Sequence, residues 1–156
     1  MGLAGWLAIS FVLVILDQTT KIGVTQKLAL GEVQPVFDFF NVVLMHNRGA
    51  AFSFLANESG WQRWFFTMVS VLAGLVIIWL LQKGYKQNLF AAGLSLILGG
   101  AVGNLLDRLW HGYVVDFIDL HIYDFHWPAF NIADMCITMG VILLAIDEIR
   151  RVRKAG

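Results

Sequence analysis

The stretch WFFTMVSVLAGLVIIWLL, residues 64–81, contains no charged side chain. A helix packed in a water-soluble bundle needs a polar stripe along its outer face, and this run has none to offer. Crossing the hydrocarbon core of a bilayer takes roughly 20 residues at 1.5 Å rise each, and this run with its flanks suffices. NLFAAGLSLILGGAVGNLL, residues 88–106, is uncharged in the same way. Two further segments come close. Residues 3–16 carry no charge and continue through DQTTKIGVTQK, while PAFNIADMCITMGVILLAI, residues 128–146, is interrupted only by Asp134. These two are long enough if Asp17 and Asp134 lie near one membrane face. The expected fold is an all-α integral membrane protein with four transmembrane helices near residues 3–25, 62–82, 88–108 and 129–150, forming one membrane-embedded domain over 1–156.

Composition supports this reading. Of 156 residues, 58% are hydrophobic and 14% charged, with zero formal net charge, whereas soluble domains carry about 25% charged residues. The mean hydropathy is +0.71 and the pI about 6.9, so no basic surface is available for nucleic acid. The single cysteine, Cys136, rules out an intrachain disulfide and a multi-cysteine metal site; in an apolar helix it reads as a small packing residue. The first helix lacks the features of a cleaved signal peptide. Residues 1–16 contain no Lys or Arg, and no small-x-small site follows convincingly.

Orientation follows from the basic residues. Lys83 and Lys86 lie between the second and third segments, and Arg150, Arg151, Arg153 and Lys154 in the C-terminal tail. Short loops rich in Lys and Arg stay in the cytoplasm, so both termini are expected there. Residues 26–60 and 109–128 then face outward. VFDFFNVVLMHNRGAAFSF, residues 36–54, has aromatic and β-branched runs that suit a strand or hairpin. Together with Trp61, Trp64, Trp110 and Trp127, which suit a membrane interface, it predicts a small β-rich extracytoplasmic cap over 26–60, with a loop over 109–128.

With alternating helix directions, the polar residues fall at one depth. Asp17 and Lys21 end the first helix, Asn104, Asp107 and Arg108 end the third, and Asn131 and Asp134 begin the fourth. Ionisable groups within a membrane are expensive and mark function by default. Asp17 with Lys21, and Asp107 with Arg108, could equally be ion pairs that pin helices. Asp116 and Asp134 differ, having no evident cationic partner in their own segments. Two carboxylates brought together share a proton, so that one serves as general base toward a water and the other as general acid. The competing reading is two unrelated helix-capping aspartates. Asp119 and Asp124 read as loop residues facing water.

Other chemistries have weaker support. No HExxH or Gly-x-Ser-x-Gly motif occurs. His46, His111, His121 and His126 lack a clear ligand spacing, although a zinc site from His111, Asp116 and His121 stays open. LILGGAVG, residues 96–103, reads as a small-residue helix-packing face. Two rivals from other classes are a small transporter or channel with an outward-facing polar cluster, and a non-catalytic membrane assembly protein. A path across the membrane would need polar residues in the inner halves of the helices, which are almost wholly apolar.

Five blocks carry a more specific signal: DQTTK at 17–21, NRGAAF at 47–52, GNLLDR at 103–108, VVDFIDL at 114–120 and FNIADM at 130–135. In this order the chain closely resembles the bacterial lipoprotein signal peptidase family, the type II signal peptidases. The resemblance implies a multi-pass aspartic endopeptidase of the bacterial cytoplasmic (inner) membrane, with its active site at the extracytoplasmic face. Such an enzyme removes signal peptides from diacylglyceryl-modified prolipoproteins, on the amino side of the lipidated cysteine. It further implies Asp116 and Asp134 as the catalytic pair, Asn47 and Arg108 lining the substrate groove, and Asp17, Lys21, Asn104 and Asn131 as polar supports. Asp107 is left as a structural ion-pairing residue. The expected partners are prolipoproteins, membrane lipids and globomycin-like cyclic peptide inhibitors, with no metal or other cofactor and a monomeric enzyme.

Overall fold

A computed structural model describes residues 1–49 and 60–155. Ala50, Ala51 and Phe52 of the NRGAAF block, and the rest of the expected cap up to residue 59, lie outside the described residues. The elements run α1 (Leu3–Thr25), β1 (Val33–Phe37), β2 (Phe40–Asn47), α2 (Trp61–Gly84), α3 (Asn88–Trp110), β3 (Val114–Ile122), β4 (Phe125–His126) and α4 (Ile132–Ala155).

α1, α2 and α3 are each long and apolar enough to cross a membrane. α2 shows why an unbroken apolar run suits lipid: Met68, Leu72, Leu75, Val76 and Trp79 are all exposed. Apolar area left in water forgoes about 25 cal/mol per Å², a loss that a hydrocarbon surround removes. α4 is more polar, with Asp134 in its first turn, Asp147 and Glu148 further along and Arg153 and Lys154 in its last turn.

α3 is the central helix and packs on all three others. Its glycines make that possible. A Cβ on Gly93 would meet the Gly140 carbonyl oxygen at 2.9 Å, and one on Gly99 would meet Leu13 Cβ at 2.9 Å. A Cβ on Gly100 would run into the Ala133 carbonyl oxygen of α4. Without a hydrophobic driving force between helices in lipid, close backbone approach supplies the packing. At the end away from the acidic cluster, Trp6, Ile77, Leu81, Ala91, Leu94 and Leu98 form an apolar core, and Trp6 Nε1 donates to the Tyr85 carbonyl at 2.9 Å.

The approach of Gly100 to the Ala133 carbonyl makes the α3–α4 packing sensitive to a single methyl group. Gly100→Ala pushes α4 away beside Asp134, and overpacking of this kind costs about 1–3 kcal/mol. Its melting temperature in detergent should fall. Gly23→Ala, whose Cβ meets nothing within 4 Å, should leave the melting temperature unchanged or slightly higher.

The expected β-rich cap is present in β1 and β2, and the sheet extends beyond it. β1, β2, β3 and β4 form one antiparallel sheet in that order, and β3 and β4 fall where a loop was expected. Between the Val42–Ile118 and Met45–Asp116 pairs, β2 has two residues where β3 has one. That bulge re-aims the strand so that Asn47 faces Asp116. The other face of the sheet packs Leu44 and Val115 on Leu28, with Val24 and Tyr113 around them. The chain before α4 is tied to β3, since Phe130 N–H donates to the Ile118 carbonyl at 3.1 Å and its carbonyl accepts from Ile118 N–H at 2.8 Å. This tie brings the start of α4 alongside Asp116.

Candidate active site

The site is assembled where α1, α3, β2, β3 and α4 meet. Asp116 is buried to 2% exposure in β3. Each of its oxygens accepts from an asparagine: Oδ2 from Asn47 Nδ2 at 2.9 Å and Oδ1 from Asn131 Nδ2 at 2.7 Å. Asp134 is half-buried in the first turn of α4. Its Oδ1 accepts from Asn104 Nδ2 at 2.8 Å and its Oδ2 from the Asn131 backbone N–H at 3.3 Å.

Asn131 is the hinge between the two aspartates. Its Oδ1 accepts from the Asp134 N–H at 3.0 Å, which with the return bond from Asp134 makes a reciprocal helix cap. Asp134 is therefore a capping residue, but not one unrelated to Asp116. The same Asn131 side chain holds both ends of the pair.

Burial pushes Asp116 up to about 7, and the Asp134 carboxylate adds to it, against the pull of the Asn47 and Asn131 amides and the Lys21 charge. Between the ordinary carboxylate range and about 7, the folded protein keeps a proton that the unfolded chain has released. Stability is thus fullest at low pH and is lost as pH rises through that window. In Asp116→Asn this loss should disappear, so the mutant's melting temperature in detergent should vary less between pH 5 and 8 than that of wild type.

Behind the aspartates lies a second layer. Lys21, 2% exposed, bonds Asp17 Oδ2 at 2.8 Å, Asp107 Oδ2 at 2.9 Å and Asn104 Oδ1 at 2.9 Å. All three of its donor directions are used, as a buried ammonium requires. Asp107 pairs with Lys21 rather than with its neighbour Arg108. Asp107 is turned toward Lys21 of α1. Arg108 donates instead to the carbonyls of Gly49 at 3.1 Å and Asn104 at 3.3 Å, with its guanidinium 5.4 Å from the Phe66 ring centroid.

Asp119 also departs from expectation. It is buried in β3, bonded by Asn41 Nδ2 at 2.8 Å and by His126 Nδ1 at 2.8 Å. Burial alone would raise its pKa, but these bonds and the charges of His126 and His121 hold it below the usual carboxylate range. Asp124 is exposed in the two-residue turn between β3 and β4. Asp119 and His121 alternate with Asp116 along β3, so they line the reverse face of the sheet. An open cavity of about 460 Å³ lies there, bordered by Pro35, Asn41, His121 and His126.

The zinc alternative is not assembled. His111 stacks on Tyr113 and His121 on His126, and among the described residues no three His, Cys, Asp or Glu side chains are grouped to hold a metal ion. Gln18 belongs to the same layer, although sequence patterning does not single it out. Its Nε2 reaches Asp107 Oδ1 at 2.9 Å, Asp17 Oδ2 at 3.1 Å and the Gly103 carbonyl at 3.1 Å. A primary amide beside Asp17 in a membrane-length helix was the available signal.

The chain is similar to known proteins over nearly its whole length. Residues 9–150 match the family model for signal peptidase (SPase) II. The lipoprotein signal peptidase of Ralstonia nicotianae is 55% identical over 153 residues, covering 98% of this chain and 88% of the relative. That of a Janthinobacterium species is 56% identical over 149 residues, covering 96% and 90%. Two bacterial membrane enzymes solved by the in meso method share the fold. One, at 2.3 Å resolution, has a TM-score of 0.88 and 30% identity, with 98% of this chain and 92% of the other covered. The second, at 1.9 Å, has a TM-score of 0.80 and 32% identity, with 92% of each chain covered. With a family match this extensive and identities this high, the chain belongs to the signal peptidase II family.

Proposed function

We propose that the protein is a lipoprotein signal peptidase of the aspartic type, which cuts diacylglyceryl-modified prolipoproteins on the amino side of the lipidated cysteine. The observation that carries the reading is the pair formed by Asp116 and Asp134, held through one asparagine, Asn131, with no ion pair of their own among the described residues. Asp116, buried and raised to about 7, holds the shared proton at rest. Asp134, more open to solvent, is the base. It takes a proton from a water whose oxygen attacks the scissile carbonyl carbon. Asp116 gives its proton to the departing cysteine nitrogen as the C–N bond breaks. The carboxyl end of the signal peptide and the free amine of the lipidated cysteine are the products. The proton on Asp134 then returns to the pair.

The position of the pair suits this substrate. A diacylglyceryl cysteine is held at the membrane surface, and the carboxylates sit where the ends of α1 and α3 meet the sheet. In this reading α4 is the fourth span, and the Lys and Arg residues of the 83–86 loop and the C-terminal tail keep both termini in the cytoplasm of a bacterial inner membrane, with the sheet outside. Exposed Phe37, Phe39, Ile122 and Phe125 suit a sheet lying on the outer lipid surface. In Asp124→Cys cells, an impermeant thiol reagent should label the protein from outside, since Cys136 is buried. Protection of that cysteine in intact cells would invert the orientation.

Asn47 and Arg108 are the substrate-groove residues in this reading. A guanidinium presents five donors in a rigid fork that fits a peptide carbonyl or lipid ester oxygen, and lysine keeps the charge but loses the fork. Arg108→Lys should fold and melt like wild type yet cleave poorly and bind a globomycin-like cyclic peptide more weakly. Equal inhibitor affinity in the same detergent would move Arg108 into the scaffold. Direct evidence for the function as a whole is cleavage of a purified diacylglyceryl prolipoprotein, with the new amino terminus identified as the lipidated cysteine. No cleavage, or a cut elsewhere, would overturn it.

A further inference from the structure

The two aspartates are fixed by matching backbone bonds. Asp107 Oδ2 accepts from the N–H of Val115 at 3.0 Å, and Val115 directly precedes Asp116. Asp17 Oδ1 accepts from the N–H of Ala133 at 2.9 Å, and Ala133 directly precedes Asp134. One carboxylate of the inner layer thus holds the chain immediately before each member of the pair. A change in the distance between Asp107 and Asp17 would be passed to the chain just before Asp116 and just before Asp134, alongside the ties through Asn131 and Phe130.

Two side chains of α1 span that gap. Lys21 bonds both carboxylates, and its charge is needed to keep them buried at all. Gln18 bonds both as well, through the single nitrogen Nε2, and also takes in the Gly103 carbonyl of α3. Gly103 has no room for a side chain, because a Cβ there would lie 2.6 Å from Asp17 Oδ2. The close α1–α3 contact therefore brings Gln18 onto both carboxylates. Gln18 is neutral, so its removal takes away a spacer without removing the charge that balances Asp17 and Asp107.

We infer that Gln18 is a positioning residue for the reaction, a neutral bridge between Asp17 and Asp107 that sets the distance between Asp116 and Asp134 through the N–H groups of Ala133 and Val115. It rests on the two-aspartate reading above. It touches neither substrate nor the reacting atoms. Its effect belongs on the chemical step, and on the proton shared by the pair, rather than on substrate binding. A displacement near 1 Å from a residue remote from the chemistry can cost about 10²-fold in rate, and one lost bridge with Lys21 still in place should cost less.

The test uses the purified full-length enzyme and a diacylglyceryl prolipoprotein, measuring kcat and KM across pH for wild type, Gln18→Leu, Gln18→Met and Asp116→Asn. Gln18→Met matches the length of glutamine and is the arm to read if the leucine variant folds poorly. The expected result is a kcat about 10-fold lower in the folded variants, with KM unchanged and the alkaline limb of the pH profile displaced from that of wild type. Wild-type kcat at every pH in folded Gln18→Met would overturn the inference. So would a loss that follows the melting temperature while the shape of the pH profile stays fixed. Asp116→Asn separates the two levels. If it still cuts, the two-aspartate reading fails; if it is inert while Gln18→Met behaves as wild type, only the bridge fails.

Discussion

Asp116→Asn and Asp134→Asn should each reduce cleavage of a diacylglyceryl prolipoprotein by at least 10²-fold while leaving the protein folded in detergent. General acid–base groups typically contribute about 10²–10⁴-fold, and a scheme that needs both roles in one turnover loses most of its rate with either. Folding should survive because an asparagine keeps one oxygen acceptor. At position 116 that oxygen can still take a bond from Asn131 or Asn47, and at position 134 it can still complete the helix cap by accepting from the Asn131 N–H. The measurement is single-turnover cleavage alongside a melting curve. Turnover near wild type in either folded mutant would remove that residue from the chemistry.

Lys21→Met should have the largest effect on stability. The ammonium is 2% exposed and bonds Asp17, Asp107 and Asn104. Removing one member of a buried ion cluster leaves the others uncompensated and costs about 3–5 kcal/mol. Two buried carboxylates would then face each other across α1 and α3 with only Gln18 between them. The mutant is expected to be recovered poorly or to melt far below wild type. Adding Asp107→Asn should restore part of the loss by removing one unpaired charge. A Lys21→Met protein as stable as wild type would mean that the cluster is hydrated rather than buried.

These two predictions differ in how far the sequence alone supports them. That Asp17, Lys21, Asn104, Asp107, Asn131 and Asp134 lie at one depth is read from four helices of alternating direction, because lipid selects apolar helices and so leaves polar residues conspicuous. Which of them bond to which does not follow. Asp107 sits beside Arg108 in sequence but meets Lys21 of α1, while Arg108 reaches the carbonyls of Gly49 and Asn104. Asp119 reads as a solvated loop residue because its partner Asn41 is 78 positions away and the strand that buries it forms through pairing with distant β2. The β2 bulge, which turns Asn47 toward Asp116, leaves no mark in the periodicity of FNVVLMHN. The sheet as a whole was legible only in its β1–β2 half, where β-branched and aromatic residues run together. In β3, two aspartates within VVDFIDL disguise a strand, and they are tolerated there because asparagines satisfy them.

In the proposed mechanism two carboxylates sharing a proton perform the cleavage without a metal ion. The most direct measurement is the pH dependence of kcat/KM for the purified wild-type enzyme on a diacylglyceryl prolipoprotein, in the presence of a strong chelator. Full activity is expected with chelator, along with a bell-shaped profile whose two limbs belong to the pair, the alkaline one lying near 7 where Asp116 releases its proton. A profile that stays flat from pH 5 to 9, or activity lost to the chelator and restored by zinc, would contradict it.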